Sequence, residues 1–181
     1  FDEQFVIYNK EYIRTLKQSF GTQTNVWNRH DKIIVSIDSV KPLRIDESLS
    51  NEEQQRRKWH NTHVTEALSQ SGFDLVIIDE AHKLSKRGDG HESARFKLGS
   101  ILSESVPIFL LLTATPHQGD PDLFHYLLKL VDPVLFASKD RLIPELVQEV
   151  CVRNKKRAAV DFDGNRIFKH RLTSVVPVRR S

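Results

Sequence analysis

A chain of 181 residues and 20.9 kDa is long enough for one globular domain with a sizeable core. Its 39% hydrophobic and 28% charged residues exclude a disordered or fibrous chain. No apolar run reaches the roughly 20 residues of a membrane-spanning helix, which argues against a membrane role. The one cysteine, Cys151, cannot close an internal disulfide and points to a reducing, cytoplasmic setting. The chain starts at Phe1 and contains no Met, as expected of a piece of a longer protein. Charge is uneven: residues 141–181 carry a net +6, whereas residues 1–140 carry −3. The basic end is a candidate for phosphate or acidic contact, or else a solvated linker.

In chain order, Phe5–Tyr8 reads as a short strand. A helix follows from about Lys10 to Phe20, with Ile13, Leu16 and Phe20 on one face and Gly21 as its stop. After a polar loop, Lys32–Asp38 is an aliphatic run of strand length, continuous enough to predict a strand buried on both faces. A helix from about Glu52 to Ser69 precedes Gly72. Leu75–Ile78 is the next buried strand and runs into Asp79-Glu80-Ala81-His82. A glycine-containing loop, Lys86–His91, leads to a helix carrying Ala94, Leu98, Ile101 and Leu102. Ile108–Leu112 is a further strand, ending in Thr113-Ala114-Thr115-Pro116. Asp120 as N-cap and Pro121 at the first position open a helix with Leu123, Leu127, Leu130 and Val131 on one face, leaving His125 toward the exposed side. Beyond Pro133 the pattern thins to a helix near Pro144–Val150, a turn at Asp163-Gly164 and a strand near Ser174–Val178.

Aliphatic strands alternating with amphipathic helices predict right-handed βαβ units: an α/β, three-layer fold with a mostly parallel sheet and helices on both faces. Residues 1–137 form the domain and 138–181 a basic segment leaving it. In such sheets function collects at the carboxyl ends of strands. Asp79 at a buried strand end can hold Mg²⁺ through water, because Mg²⁺ prefers oxygen ligands and keeps much of its hydration. Glu80 can orient or deprotonate a water attacking a phosphate, and His82, one turn on, can sense that phosphate or bond a neighbouring strand. The hydroxyls of Thr113 and Thr115 can bond this cluster and pass its state onward. Either cluster alone is compatible with helix capping; the two together, each after a run of aliphatic residues, are a specific pairing.

Asp79-Glu80-Ala81-His82 resembles the DEAH-type Walker B box, motif II, of superfamily-two helicases and translocases. Leu111–Gly119 resembles their motif III. The continuation through Leu123-Phe124, Leu127–Leu130 and Asp132-Pro133 to Phe136 is similar to the Swi/Snf-type ATPases, on their RapA/HepA-like branch. Ile34–Ser39 occupies the place of motif Ib. Val152–Lys156 is similar to the basic stretch toward the second motor lobe, with Asn154 where the family has a second arginine. The resemblance implies part of the first RecA-like lobe of an ATP-dependent double-stranded DNA translocase, with ATP and Mg²⁺ as cofactors. Asp79 and Glu80 would bind the nucleotide's metal and activate water. His82, Thr113, Thr115 and Gln118 would couple hydrolysis to movement. Ser36, Ser39, Lys41, Lys83, Lys86 and Arg87 would contact nucleic-acid phosphates. Double-stranded DNA and subunits of a DNA-processing or transcription complex are the implied partners, and a prokaryotic, nucleoid-associated location is implied. The phosphate-binding loop G-x-x-x-x-G-K-S/T does not occur in the chain, so the segment alone is expected to be inactive.

Other classes remain open at the level of sequence. An RNA helicase or restriction-enzyme motor shares the same motifs. A non-catalytic binding module would have no need of the Asp79–Glu80 pair. A metal-dependent phosphohydrolase would draw on Asp79, His82, His117, His91 or His125 as ligands.

Overall fold

The computed structural model describes residues 3–84, 86, 92–116, 121–153 and 159–168. Four short strands, β1 (Val6–Tyr8), β2 (Ile33–Val35), β3 (Leu75–Ile78) and β4 (Ile108–Leu111), alternate with helices. The helices are α1 (Lys10–Phe20), α2 (Ile37–Val40), α3 (Asn51–Ser69), α4 (Ala94–Ser105), α5 (Pro121–Val131) and α6 (Pro144–Val150). β1 pairs with β2 and β3 with β4, both in parallel, so each pair needs the crossover helices between its strands. The α/β class with parallel strands holds. Among the described residues the strands form two separate pairs.

Local chemistry accounts for the element boundaries. Asn9, Ser50 and Ser93 cap α1, α3 and α4, each accepting a backbone N–H from inside the first turn. Gly21, at φ 94°, takes the chain out of α1 through a conformation that β-carbons disfavour. The aliphatic run after Lys32 differs from expectation: extended structure stops at Val35, and Ile37–Val40 forms one helical turn. Burial of Val40 in the core draws that turn inward.

The strands are also half-buried instead of fully enclosed. Val6, Tyr8, Ile33, Val35, Val76 and Phe109 face a core with Leu16, Trp27, Leu68, Leu98 and Leu102. Ile78, Phe109 and Leu111 face a second cluster of Ala81, Leu84, Phe96, Leu127 and Leu130. Their alternates Phe5, Ile7, Ile34, Leu75, Ile77, Ile108, Leu110 and Leu112 are all exposed. Helices therefore cover one face of the strands, and the second helical layer has no counterpart among the described residues. Because both faces are aliphatic, the sequence pattern carries no sign of which one is covered.

His125 corrects another expectation. It is buried, with Nε2 donating to the carbonyl of Phe136, 3.0 Å away. The turn after α5, pinned by Asp132 accepting the N–H groups of Val134 and Leu135, folds fully buried Phe136 back over the helix. At the basic end, α6 matches the predicted span, and Asp161 organises a turn through Gly164, whose φ is 82°. The Ser174–Val178 strand and the Asp120 cap lie outside the described residues.

Candidate active site

β3 and β4 end side by side, and their polar continuations are strapped together by backbone. The Leu112 N–H donates to Ile78 O and the Ala81 N–H to Leu112 O, both at 2.9 Å, extending the parallel ladder into the two turns. After Asp79 the chain tightens into a single 3-10 turn, Ala81–Lys83, closed by Leu84 N–H on Ala81 O. Entry into this turn requires Glu80 at φ 51°, ψ 44°, the one non-glycine residue with positive φ among the described residues. A left-handed glutamate costs free energy that the surroundings must supply, a pattern that gathers at functional sites. Ala81 and Leu84, essentially inaccessible to water, supply it by anchoring the turn beneath.

The polar groups converge above that anchor. Asp79 Oδ1 accepts the Glu80 N–H at 2.8 Å, fixing the carboxylate's orientation. His82 Nδ1 lies 3.1 Å from Glu80 Oε2 and 3.2 Å from Thr113 Oγ1. His82 Nδ1 is thus hydrogen-bonded to the Thr113 hydroxyl and within ion-pair reach of the Glu80 carboxylate. Thr113 Oγ1 also accepts the Thr115 N–H at 3.2 Å. Asp79, Glu80, His82, Thr113 and Thr115 thus form one connected cluster at the carboxyl ends of two parallel strands. Gln118 lies outside the described residues.

The donor set fits Mg²⁺. Asp79 is exposed, no protein partner engages its Oδ2 among the described residues, and an ion that keeps most of its water asks little more of the protein. A transition-metal centre finds less support. No group of three or more His, Cys, Asp or Glu converges among the described residues, and His125 Nε2 is engaged by a backbone carbonyl. His91 and His117 lie outside those residues.

The residues expected to meet phosphates divide. Ser36 is exposed and caps α2 without a side-chain hydrogen bond; Ser39 is half-buried on that turn; Lys83 is exposed. Lys41 Nζ is bonded to Asp38 Oδ1 at 2.8 Å. Lys86 is engaged by Glu92 at 2.9 Å, and its ammonium lies 5.7 and 5.4 Å from the ring centres of Phe96 and Tyr126. That arrangement ties the ammonium to Glu92 and to the two rings. Arg87 lies outside the described residues. Sequence reasoning missed Asp38 and Arg95. The guanidinium grips the carboxylate through two bonds of 2.9 Å, although the residues lie 57 positions apart. Arg95 first, then Lys41, hold the Asp38 carboxyl far below the usual carboxylate range.

Residues 4–118 match the family described as "Type III restriction enzyme, res subunit". The chain belongs to that family. It is also similar to curated proteins named RNA polymerase-associated protein RapA. The one from Pseudomonas fluorescens strain SBW25 is 38% identical over 94 residues, 47% of this chain and 10% of that protein. The one from Pasteurella multocida is 26% identical over 151 residues, covering 82% of this chain and 13% of that protein. The chain therefore spans about a tenth of the length of these relatives. Family and relatives identify a RapA-like, superfamily-two helicase-type segment, in agreement with the parallel α/β architecture. No helix among the described residues is long and apolar enough to cross a membrane.

Proposed function

We propose that the chain is the distal part of the first motor lobe of an ATP-dependent translocase on double-stranded DNA, with residues 138–181 leading toward a second lobe. The contact chain from the Glu80 carboxylate, within ion-pair reach of His82, to the His82–Thr113 hydrogen bond is the observation that carries this reading. It joins the group suited to activate water with the turn after the neighbouring strand. A change in charge at Glu80 thereby reaches a second segment of backbone.

In this reading Asp79 holds Mg²⁺ through water, and the bound ion supplies charge neutralisation at the phosphates of ATP. Glu80 orients the attacking water and accepts its proton. His82 positions the Glu80 carboxylate, and Thr113 and Thr115, with Gln118, relay its state. Ser36, Ser39, Lys41 and Lys83 contact DNA phosphates, giving salt-sensitive binding indifferent to sequence. Lys86 and Arg87 are proposed as further phosphate contacts, Lys86 being held by Glu92. The segment alone is inactive because the phosphate-binding loop is not among its residues. The RNA polymerase association named for the relatives favours a transcription complex as partner, and their bacterial sources agree with the proposed cytoplasmic, nucleoid-associated setting. Membership of the restriction-enzyme res-subunit family favours a second reading, a restriction-enzyme motor.

The test is the ATPase rate of the full-length protein with and without linear duplex DNA, alongside Glu80→Gln. Strong duplex stimulation that disappears in the variant supports the translocase. Stimulation by single-stranded RNA alone would move the assignment to an RNA helicase. A rate indifferent to both nucleic acids and to the substitution would leave a binding module.

A further inference from the structure

The turn that offers Ser36, Ser39 and Lys41 is poorly equipped to hold itself. α2 is four residues long, its Ser36 cap makes no side-chain hydrogen bond, and a single helical turn is unstable in isolation. Its Lys41 also sits on a carboxylate: with Asp38 at 2.8 Å, the two charges alone would cancel, and the turn would present no net positive charge to a phosphate. Arg95, in the first turn of α4, changes that balance. Its planar fork takes both Asp38 oxygens, so one carboxylate lies between two cations and the cluster carries a net +1. One turn further along α4, Gly99 lies against Leu84; a β-carbon there would come within 3.3 Å of the leucine. The same helix therefore touches the Lys41 turn at one point and the Glu80 turn at the next.

We infer that Arg95 is a positioning residue for nucleic-acid binding: by engaging Asp38 it keeps the Lys41 ammonium available to a backbone phosphate. Without Arg95, Asp38 turns wholly to Lys41 and neutralises it. The inference rests on the reading of this face as the DNA contact. Its distinctive consequence is that removing the carboxylate restores the DNA affinity lost with the arginine, while basal and DNA-saturated rates stay level throughout.

The experiment uses the full-length protein and linear duplex DNA, and measures basal ATPase, DNA-saturated ATPase and the half-saturating DNA concentration. Arg95→Ala should raise half-saturation by about tenfold and lower the salt slope of binding by about one. Basal and saturated rates should stay within about twofold of the parent, which also establishes that the variant is folded. Adding Asp38→Asn to Arg95→Ala should recover most of the affinity. Unchanged half-saturation in Arg95→Ala, or a double variant no better than the single one, overturns the inference. A parent protein whose ATPase ignores duplex DNA overturns the underlying reading instead, and the role of Arg95 with it.

Discussion

His82 Nδ1 lies 3.2 Å from the hydroxyl of Thr113, so the turns that follow two neighbouring parallel strands meet through side chains as well as through the ladder. Because the same nitrogen faces Glu80, the imidazole cannot be moved without disturbing both oxygens. Substitutions at its two ends should therefore not act independently. In the full-length protein, His82→Ala and Thr113→Val are expected to be non-additive in ATPase activation free energy by about 0.5–3 kcal/mol. Strict additivity in the double-mutant cycle would show that the link carries no coupling.

Stability and activity should separate at Glu80. The left-handed backbone there is costly for glutamate and easy for glycine. Glu80→Gly is expected to raise thermal stability by roughly 1 kcal/mol, the scale of such local strain, while ATPase is lost with the carboxylate. A lower melting temperature in the glycine variant would mean that the His82 contact outweighs the strain.

The anchor beneath the turn should be sensitive to volume in both directions. Leu84 is only 1% exposed and rests against Gly99 of α4. Leu84→Ala is expected to destabilise by about 2–5 kcal/mol. Gly99→Val, which forces branched carbons toward Leu84 and Leu130, is expected to cost about 1–3 kcal/mol. Chemical denaturation checks both, and a neutral Gly99→Val would show that the leucines repack freely.

Acid should weaken the fold partly through His60. Desolvation by its neighbours first, then the cations Lys17 and Arg56, lower the pKa of this exposed imidazole below the ordinary 6.5. As pH falls through that value the unfolded chain takes up the proton before the folded one, so stability declines until the folded pKa is also passed. Melting temperatures at pH 8 and pH 5 should differ less in His60→Gln than in the parent. An equal difference would assign the acid sensitivity elsewhere.

Much of the architecture was legible because it depends on short-range chemistry. Leu75–Ile78 is bounded by Gly72 and an acidic pair, and its span matches the predicted one. Lys10–Phe20 lies between an Asn cap and Gly21, and it too matches. The Asp79–His82 and Thr113–Thr115 clusters were readable as polar interruptions after aliphatic runs. Ile37–Val40 was not, since Ile and Val favour strands and the core contact of Val40 overrides that preference. Nor was the burial of His125, which depends on where the chain returns after Pro133. The Asp38–Arg95 fork joins elements 57 positions apart, a separation no local pattern can bridge. The conformation of Glu80 leaves no mark in residue type.

The exposed apolar side chains of the four strands and their ends, from Phe5 to Leu112, have a consequence for biogenesis. Left open to water, such a surface is sticky, of the kind that chaperones hold and that aggregates when crowded. Polypeptide emerging from the ribosome would have to shield it promptly, so the order in which layers assemble becomes a matter of survival for the nascent chain. Substituting outward-facing Ile7, Ile77 and Leu110 with polar residues should make an isolated segment easier to handle in solution.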